Sequence, residues 1–289
     1  YRGVTVTAVQ QEATGATASL QDSLGETAVK ARFVVGGDGM HSVVRTAMGT
    51  EFDGGAYEDS FILADVSMDW PLGAEEVSLF FSPAGLAVVA PLPGSRFRVV
   101  ASVDQAPEHP TVAQIQTLLD ARGPRKGKTV VRELFWSSRF RIHHRLARSY
   151  RSGSLFLMGD AAHVHSPAGG QGMNTGLVDS AVLGQLLTRA IRTGDDSVLD
   201  QYEPMRRPAA QKVLGMVGWL THIATLRGSL KQAVRDAALS VMNIVPPMRK
   251  KLMMNLSGLS RKALAQLPGK DRAGTPYDLR LQTAKGDRI

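Results

Sequence analysis

Residues 4–9 (Val4-Thr5-Val6-Thr7-Ala8-Val9) alternate along the chain and are rich in β-branched side chains. A period of two in such residues predicts a strand. Residues 16–20 and 27–31 share this texture across turns at Thr14-Gly15 and Leu24-Gly25, so a three-stranded meander is expected. It leads into Arg32-Phe33-Val34-Val35, a short apolar run that ends in Gly36-Gly37-Asp38-Gly39. A helix carrying Ser42 and Arg45 follows and stops near Gly49. From residue 54 to about 141 the texture changes. Residues 61–68, 77–81, 86–89, 97–103 and 130–136 read as strands between Pro/Gly turns. One helix, residues 112–121, interrupts them behind a Pro110-Thr111 start signal.

The stretch from Ser154 to Ile191 carries the densest signal. Residues 155–158 have the length and flanking glycines of a buried strand, and it stops at Gly159-Asp160. Open α/β sheets place ligands at that end of their strands. A turn containing Pro167, Gly169, Gly170 and Gly172 comes next, and a long apolar helix begins near Gly172 or Met173. Small residues let the backbone approach a flat ligand closely, and the helix start presents free amides and its positive dipole end. An acceptor, a backbone cradle and a helix N-terminus therefore converge, which suits a polar, partly anionic cofactor. Beyond it, residues 199–213 should form a helix carrying Tyr202, Glu203, Arg206 and Arg207, bent at Pro204 and Pro208. Helices are also expected over residues 213–226, 230–244 and 248–264, then a charged, turn-rich tail from residue 268.

Composition changes this picture little. At 289 residues and 43% hydrophobic content the chain can bury a sizeable core. It has no cysteine, which excludes disulfides and thiolate chemistry. Lys and Arg outnumber Asp and Glu by 34 to 26, but no basic block is interleaved with aromatics. A basic surface is expected rather than a nucleic-acid site. The longest uncharged apolar stretch, residues 213–226, is shorter than the roughly 20 residues of a membrane span. A soluble, cytoplasmic protein is expected. The chain starts at Tyr1 within what already reads as strand, so a processed or amino-terminally truncated chain is expected.

Two blocks now stand out: Val35-Gly36-Gly37-Asp38-Gly39-Met40-His41-Ser42-Val43-Val44-Arg45, and Gly159-Asp160-Ala161-Ala162-His163 with Pro167 and Gly169-Gly170-Gln171-Gly172-Met173-Asn174. The pair resembles the class A flavoprotein monooxygenases, the para-hydroxybenzoate hydroxylase-like aromatic hydroxylases. The likeness extends to the sheet-rich insert and to the Tyr-Glu-x-x-Arg-Arg-Pro run from Tyr202 to Pro208. It implies an α/β fold: a partial Rossmann-like FAD-binding domain, an inserted β-rich substrate domain and carboxyl-terminal helices. The corresponding boundaries are residues 1–52 and 142–210 for the FAD-binding parts, 53–141 for the insert, and 211–289 for the helices and tail. By the same resemblance Asp160 accepts a hydrogen bond from the ribityl chain of FAD, flanked by Gly159 and Ala161. Gly170, Gln171, Gly172, Met173 and Asn174 would lie along the pyrimidine edge of the flavin ring, and the Pro167 backbone would border its reacting face. Asp38 and Gly39 would contact the cofactor's central region and help position NADPH or NADH. Arg45 would anchor that block or meet phosphate. The implied reaction is reduction of FAD by the nicotinamide, O2 addition to give a C4a-hydroperoxide, and oxygen transfer to a small aromatic, phenolic or polycyclic substrate.

Departures from the family pattern matter too. Gly37 stands where Ala or Cys is common, and Ser180 and Val182 interrupt an Asp-Ala-x-Asn-Leu run. No Gly-x-Gly-x-x-Gly follows a strand, so the chain reads as the carboxyl-terminal portion of such an enzyme, expected to hold flavin weakly or not at all. The alternatives are a catalytically silent fragment serving as a binding module, and a flavin reductase or epoxidase on the same scaffold. His163 and His165 are read as structural or outer-layer residues rather than metal ligands, and no metal site is expected. His143-His144 suits either nicotinamide phosphates or a solvated basic edge. Trp70, Phe80, Phe81 and Trp136 are read as core before substrate pocket, and Asp38 as cofactor contact before plain turn residue. The Met tract (Met242, Met248, Met253, Met254) is read as helix packing, with a homodimer face or a substrate-tunnel wall as the minority view.

Overall fold

The computed structural model describes residues 1–124, 127–167 and 170–224, with short pieces between 226 and 254. Of the helix expected over 230–244, residues 231–235 and 237 are described and helical; the rest of it, most of the helix expected over 248–264, the tail, Gly169 and most of the Met tract lie outside the described residues. The meander forms as β1 (Thr5–Glu12), β2 (Gly15–Asp22) and β3 (Gly25–Ala31), paired antiparallel in the order β1-β2-β3. Then come β4 (Val34–Gly36) and helix α1 (Val43–Met48), which Ser42 caps by accepting from the Arg45 amide and Gly49 ends at φ 62°. Ser42 is thus the cap rather than a helical residue.

The middle of the chain builds a six-stranded antiparallel sheet. Its first five strands are β5 (Phe52–Asp69), β6 (Ser78–Ser82), β7 (Gly85–Leu92), β8 (Arg96–Val103) and β9 (Val130–Ala147). Helix α2 (Val112–Arg122) begins with a full capping box between Thr111 and Gln114. After β10 (Arg151–Ser152) and β11 (Leu155–Leu157), β12 (His163–Val164) adds to the large sheet, whose order is β12-β9-β5-β8-β7-β6. Strands β5 and β9 are each 18 residues long, extending the expected 61–68 and 130–136 segments. β9 runs without a break across residue 141. The extra pairing depends on glycine. Gly54 has φ +132°, and a Cβ there would lie 1.9 Å from the His144 carbonyl oxygen on β9. Only a residue without a side chain lets the two backbones close to ladder distance.

Two apolar clusters hold these parts. One lies between the large sheet and α2, where Ile62, Val66, Val99 and Ala101 meet Ile115 and Leu119. Trp70 and Phe80 pack against it, as expected of core aromatics, whereas Trp136 is 51% exposed and corrects that reading. Trp136 stands opposite Asp65, so its side chain lies on the face away from buried Ala64 and Val66. The second cluster joins β11 to α1 and to α3 (Gly172–Thr193). Helix α3 buries Thr175, Asp179, Val182, Leu183, Leu186 and Ala190, a three-to-four spacing that makes one face. Each buried leucine on it is worth about 1.5–3 kcal/mol relative to exposure. A 3-10 turn (Asp196–Gln201) then leads into α4 (Tyr202–Ala224). The two helices expected over 199–213 and 213–226 are therefore one, running through Pro208. Pro204 falls in the first turn, where no amide partner is lost.

Candidate functional site

Strands β4 and β11 pair in parallel, with Leu155 opposite Val34, Phe156 opposite Val35 and Leu157 opposite Gly36. Parallel pairing puts both carboxyl ends on one edge, so the turns carrying Asp38 and Asp160 leave the sheet side by side. The Met158 amide donates to the Gly36 carbonyl at 2.9 Å and extends the pairing to the turns themselves. The Asp38 carboxylate accepts from the Val43 amide at 2.8 Å and the Val44 amide at 3.4 Å. It thereby satisfies free donors at the start of α1.

Arg45 joins the two blocks. Its Nη1 donates to the Ala161 carbonyl at 2.9 Å and its Nη2 to the Met40 carbonyl at 2.6 Å. The guanidinium lies 3.9 Å from the Phe52 ring centroid, a close cation–π contact. Burial lowers the Arg45 pKa from the ordinary arginine value, and the Asp38 charge opposes that shift. The arginine's hydrogen bonds are spent on the backbone.

Asp160 is different. It is exposed, and its carboxylate has no hydrogen-bond or ion-pair partner among the described residues. It sits in a 3-10 turn, Gly159–Ala161, entered through Gly159 at φ +56°. Nearby, Gly170 at φ +63° donates its amide to the Pro167 carbonyl at 2.9 Å and closes the turn ahead of α3. The Gln171 side chain, at the N-cap, makes no capping hydrogen bond to the first turn of α3. Met173 on that turn is 76% exposed, while the Asn174 amide reaches back to the Gly170 carbonyl at 3.5 Å.

Beneath this surface lies a buried network. The Asp179 carboxylate accepts from the Gly159 amide at 3.1 Å and from Arg206 Nε at 2.7 Å, and lies 2.6 Å from His163 Nε2. Asp179 and His163 are fully buried, and Arg206 nearly so. Burial alone would raise the Asp179 carboxyl, but the hydrogen bonds and charges of His163 and Arg206 outweigh it and hold the group below the usual aspartate value. Tyr202 donates its hydroxyl to the Leu157 carbonyl at 2.8 Å, and Glu203 accepts the Tyr150 amide at 2.8 Å. Burial pushes both phenols, Tyr150 and Tyr202, well up from the ordinary tyrosine value. The Tyr-Glu-x-x-Arg-Arg-Pro run thus supports the strand-end turns from below.

From the sequence, Asp38, Arg45, Asp160, Pro167 and residues 170–174 are expected at one cofactor site; in the structure Arg45 ties the Asp38 block to the Asp160 turn, and Gly159 of that turn packs on α3. Sequence reasoning missed Asp179. The available signal was an acidic residue in register with the apolar face at Thr175, Val182, Leu183 and Leu186. His143 and His144 lie on β9 opposite Ala56 and Gly55, where His144 meets the Tyr57 ring at 4.9 Å. Among the described residues, no group of three or more His, Cys, Asp or Glu could hold a metal ion, and no helix is long and apolar enough to cross a membrane.

A family model described as FAD binding domain matches residues 1–216. Pentachlorophenol 4-monooxygenase of Sphingobium chlorophenolicum is 33% identical over 221 residues, which are 73% of this chain and 40% of that protein. The 6-methylpretetramide 4-monooxygenase of Streptomyces rimosus is 33% identical over 237 residues, 79% of this chain and 42% of that protein. Among solved structures, the OxyS anhydrotetracycline hydroxylase from Streptomyces rimosus superposes with a TM-score of 0.72 at 29% identity, over 90% of this chain and 52% of that one. The chain spans about two fifths of the length of the curated relatives it matches. The match over residues 1–216 and the paired Gly-Asp turns place the chain in the FAD binding domain family, among the class A flavoprotein monooxygenases.

Proposed function

We propose that these residues form the flavin-ring half of an FAD site in a monooxygenase acting on an aromatic, phenolic or polycyclic substrate. One observation carries the reading: the exposed Asp160 carboxylate, without a hydrogen-bond or ion-pair partner among the described residues, stands in a turn that packs on α3 near the amino-terminal end of that helix. A carboxylate acceptor suits a polyol hydroxyl, and helix amides suit the polar edge of an isoalloxazine ring. The residues fit the cofactor on both counts. Asp160, with Gly159 and Ala161, would take the ribityl chain; Gly170, Gln171, Gly172, Met173 and Asn174 would line the ring edge; the Pro167 backbone would border its face. Asp38 and Gly39 would lie towards the cofactor's central region, with Arg45 holding their turn against the Asp160 turn.

Bound there, FAD would take reducing equivalents from NADPH or NADH and activate O2 for transfer to an electron-rich ring. The chain's own contribution is orientation and charge placement. The α3 dipole stabilises negative charge at the ring edge, and the apolar strand ends keep water from beneath the turns. The large sheet, within the proposed substrate domain of residues 53–141, would supply pocket walls. The matched relatives acting on pentachlorophenol and 6-methylpretetramide support a substrate of that chemical class. Titrating the protein with FAD and following quenching of flavin fluorescence tests the reading. Weak but saturable quenching that is weakened further by Asp160→Ala is expected; saturable quenching indifferent to Asp160 would overturn it.

A further inference from the structure

We propose that Asp179 is a positioning residue for the cofactor site: by accepting the Gly159 amide it fixes the direction in which Asp160 presents its carboxylate. The inference rests on the FAD reading of Asp160 given above. The Asp160 turn is short, and glycine at φ +56° leaves its entry torsion free to vary unless something holds it. Besides the Ala162 amide on the Gly159 carbonyl and the Arg45 bond to Ala161, two contacts bear on Gly159, and both come from one face of α3. Asp179 accepts the Gly159 amide at 3.1 Å. One turn earlier on the helix, a Cβ added at Gly176 would come within 3.1 Å of the Gly159 Cα, so the two backbones touch. The positions are three residues apart and therefore neighbours on the helix surface.

Asp179 is itself held from two other elements. Arg206 Nε at 2.7 Å and His163 Nε2 at 2.6 Å grip its two oxygens from α4 and β12. The same carboxylate thus ties the turn to α3, to α4 and, through His163, to the edge of the large sheet. The α3 N-terminus and the Asp160 carboxylate both address the proposed cofactor. Asp179 sets their spacing, since it belongs to the helix and holds the turn. A displacement of about 1 Å at such a shared site is enough to cost most of the benefit of preorganised contacts.

A double-mutant cycle tests this. FAD dissociation constants are measured by fluorescence quenching for the wild-type protein, Asp160→Asn, Asp179→Ala and the double variant, with hydrogen exchange of the Gly159 amide as a flavin-free readout. Asp179→Ala should weaken FAD at least fivefold in the wild-type background and less than twofold when Asp160 is already Asn, and should speed Gly159 exchange at least tenfold. Gly176→Ala presses on the same turn without unpairing Arg206, and serves where Asp179→Ala does not fold. It should show the same non-additivity. Equal losses in both backgrounds, or unchanged Gly159 exchange, would overturn the positioning role while leaving the FAD reading intact. Unaltered FAD affinity in Asp160→Asn would overturn the FAD reading, and this inference with it.

Discussion

Arg45 Nη1 donates to the Ala161 carbonyl across 2.9 Å, and this bond spans the two glycine-aspartate turns. With the bond to Met40 and the Phe52 ring contact, it makes Arg45 the link between α1 and the end of β11. Hydrogen bonds from a charged donor contribute about 1.5–3 kcal/mol, and a close cation–π pair about 0.5–1 kcal/mol at partly exposed sites. Arg45→Ala should therefore destabilise the fold by about 2–3 kcal/mol in urea unfolding. Arg45→Lys should recover less than half of that, because an ammonium cannot reproduce the two-pronged reach. Full recovery in the lysine variant would show that charge alone matters.

Tyr150 and Tyr202 are two buried phenols with opposite accounts. Tyr202 donates to the Leu157 carbonyl, whereas the Tyr150 hydroxyl is buried with no hydrogen-bond partner among the described residues. Removing a satisfied hydroxyl costs about 0.5–1.5 kcal/mol, while removing an unsatisfied buried one relieves a desolvation penalty. Tyr202→Phe should lower the melting temperature and Tyr150→Phe should leave it unchanged or raise it. A loss of stability in Tyr150→Phe would contradict the assignment.

The acid limb of the stability curve should depend on Asp179. Its folded pKa lies below the ordinary value of about 3.9, so the ionised form is favoured in the native state. The associated stability is present above the unfolded-state pKa and is lost as pH falls through the folded one. Chemical unfolding followed from pH 6 down to pH 2 should show a shallower decline in Asp179→Asn than in the wild type. Parallel declines would mean that Asp179 does not report on acid unfolding.

Gly54 is held by geometry rather than by chemistry. Any Cβ there would overlap the His144 carbonyl, and the φ of +132° is strained for an L residue. Gly54→Ala should destabilise by more than about 2 kcal/mol, the scale of a strained backbone plus a displaced strand pair. A neutral effect would mean that β5 and β9 separate there at little cost.

Residue patterns made the strand ends readable because each apolar run stops at a glycine and an aspartate, a punctuation set by backbone geometry alone. The parallel pairing of β4 with β11, which no residue pattern announces, makes those two stops adjacent. The outer halves of β5 and β9 were not readable. Phe52-Asp53-Gly54-Gly55 has loop composition and Arg141-Ile142-His143-His144-Arg145 has the texture of a solvated edge, yet each is strand because the other is there to pair with. Asp179 was hidden for a related reason. One carboxylate in an apolar helix face gains its meaning from Gly159, His163 and Arg206, which are 20, 16 and 27 residues away.

The central claim is that Asp160 meets FAD, and its most direct test is the FAD dissociation constant of Asp160→Ala against the wild type, with far-UV circular dichroism and melting temperature as controls on folding. Asp160 is exposed and has no hydrogen-bond or ion-pair partner among the described residues, so its truncation should leave the fold intact. Loss of a charged acceptor, worth about 1.5–3 kcal/mol, should weaken FAD binding by about 10- to 150-fold. A folded variant that binds FAD as tightly as the wild type would contradict the account.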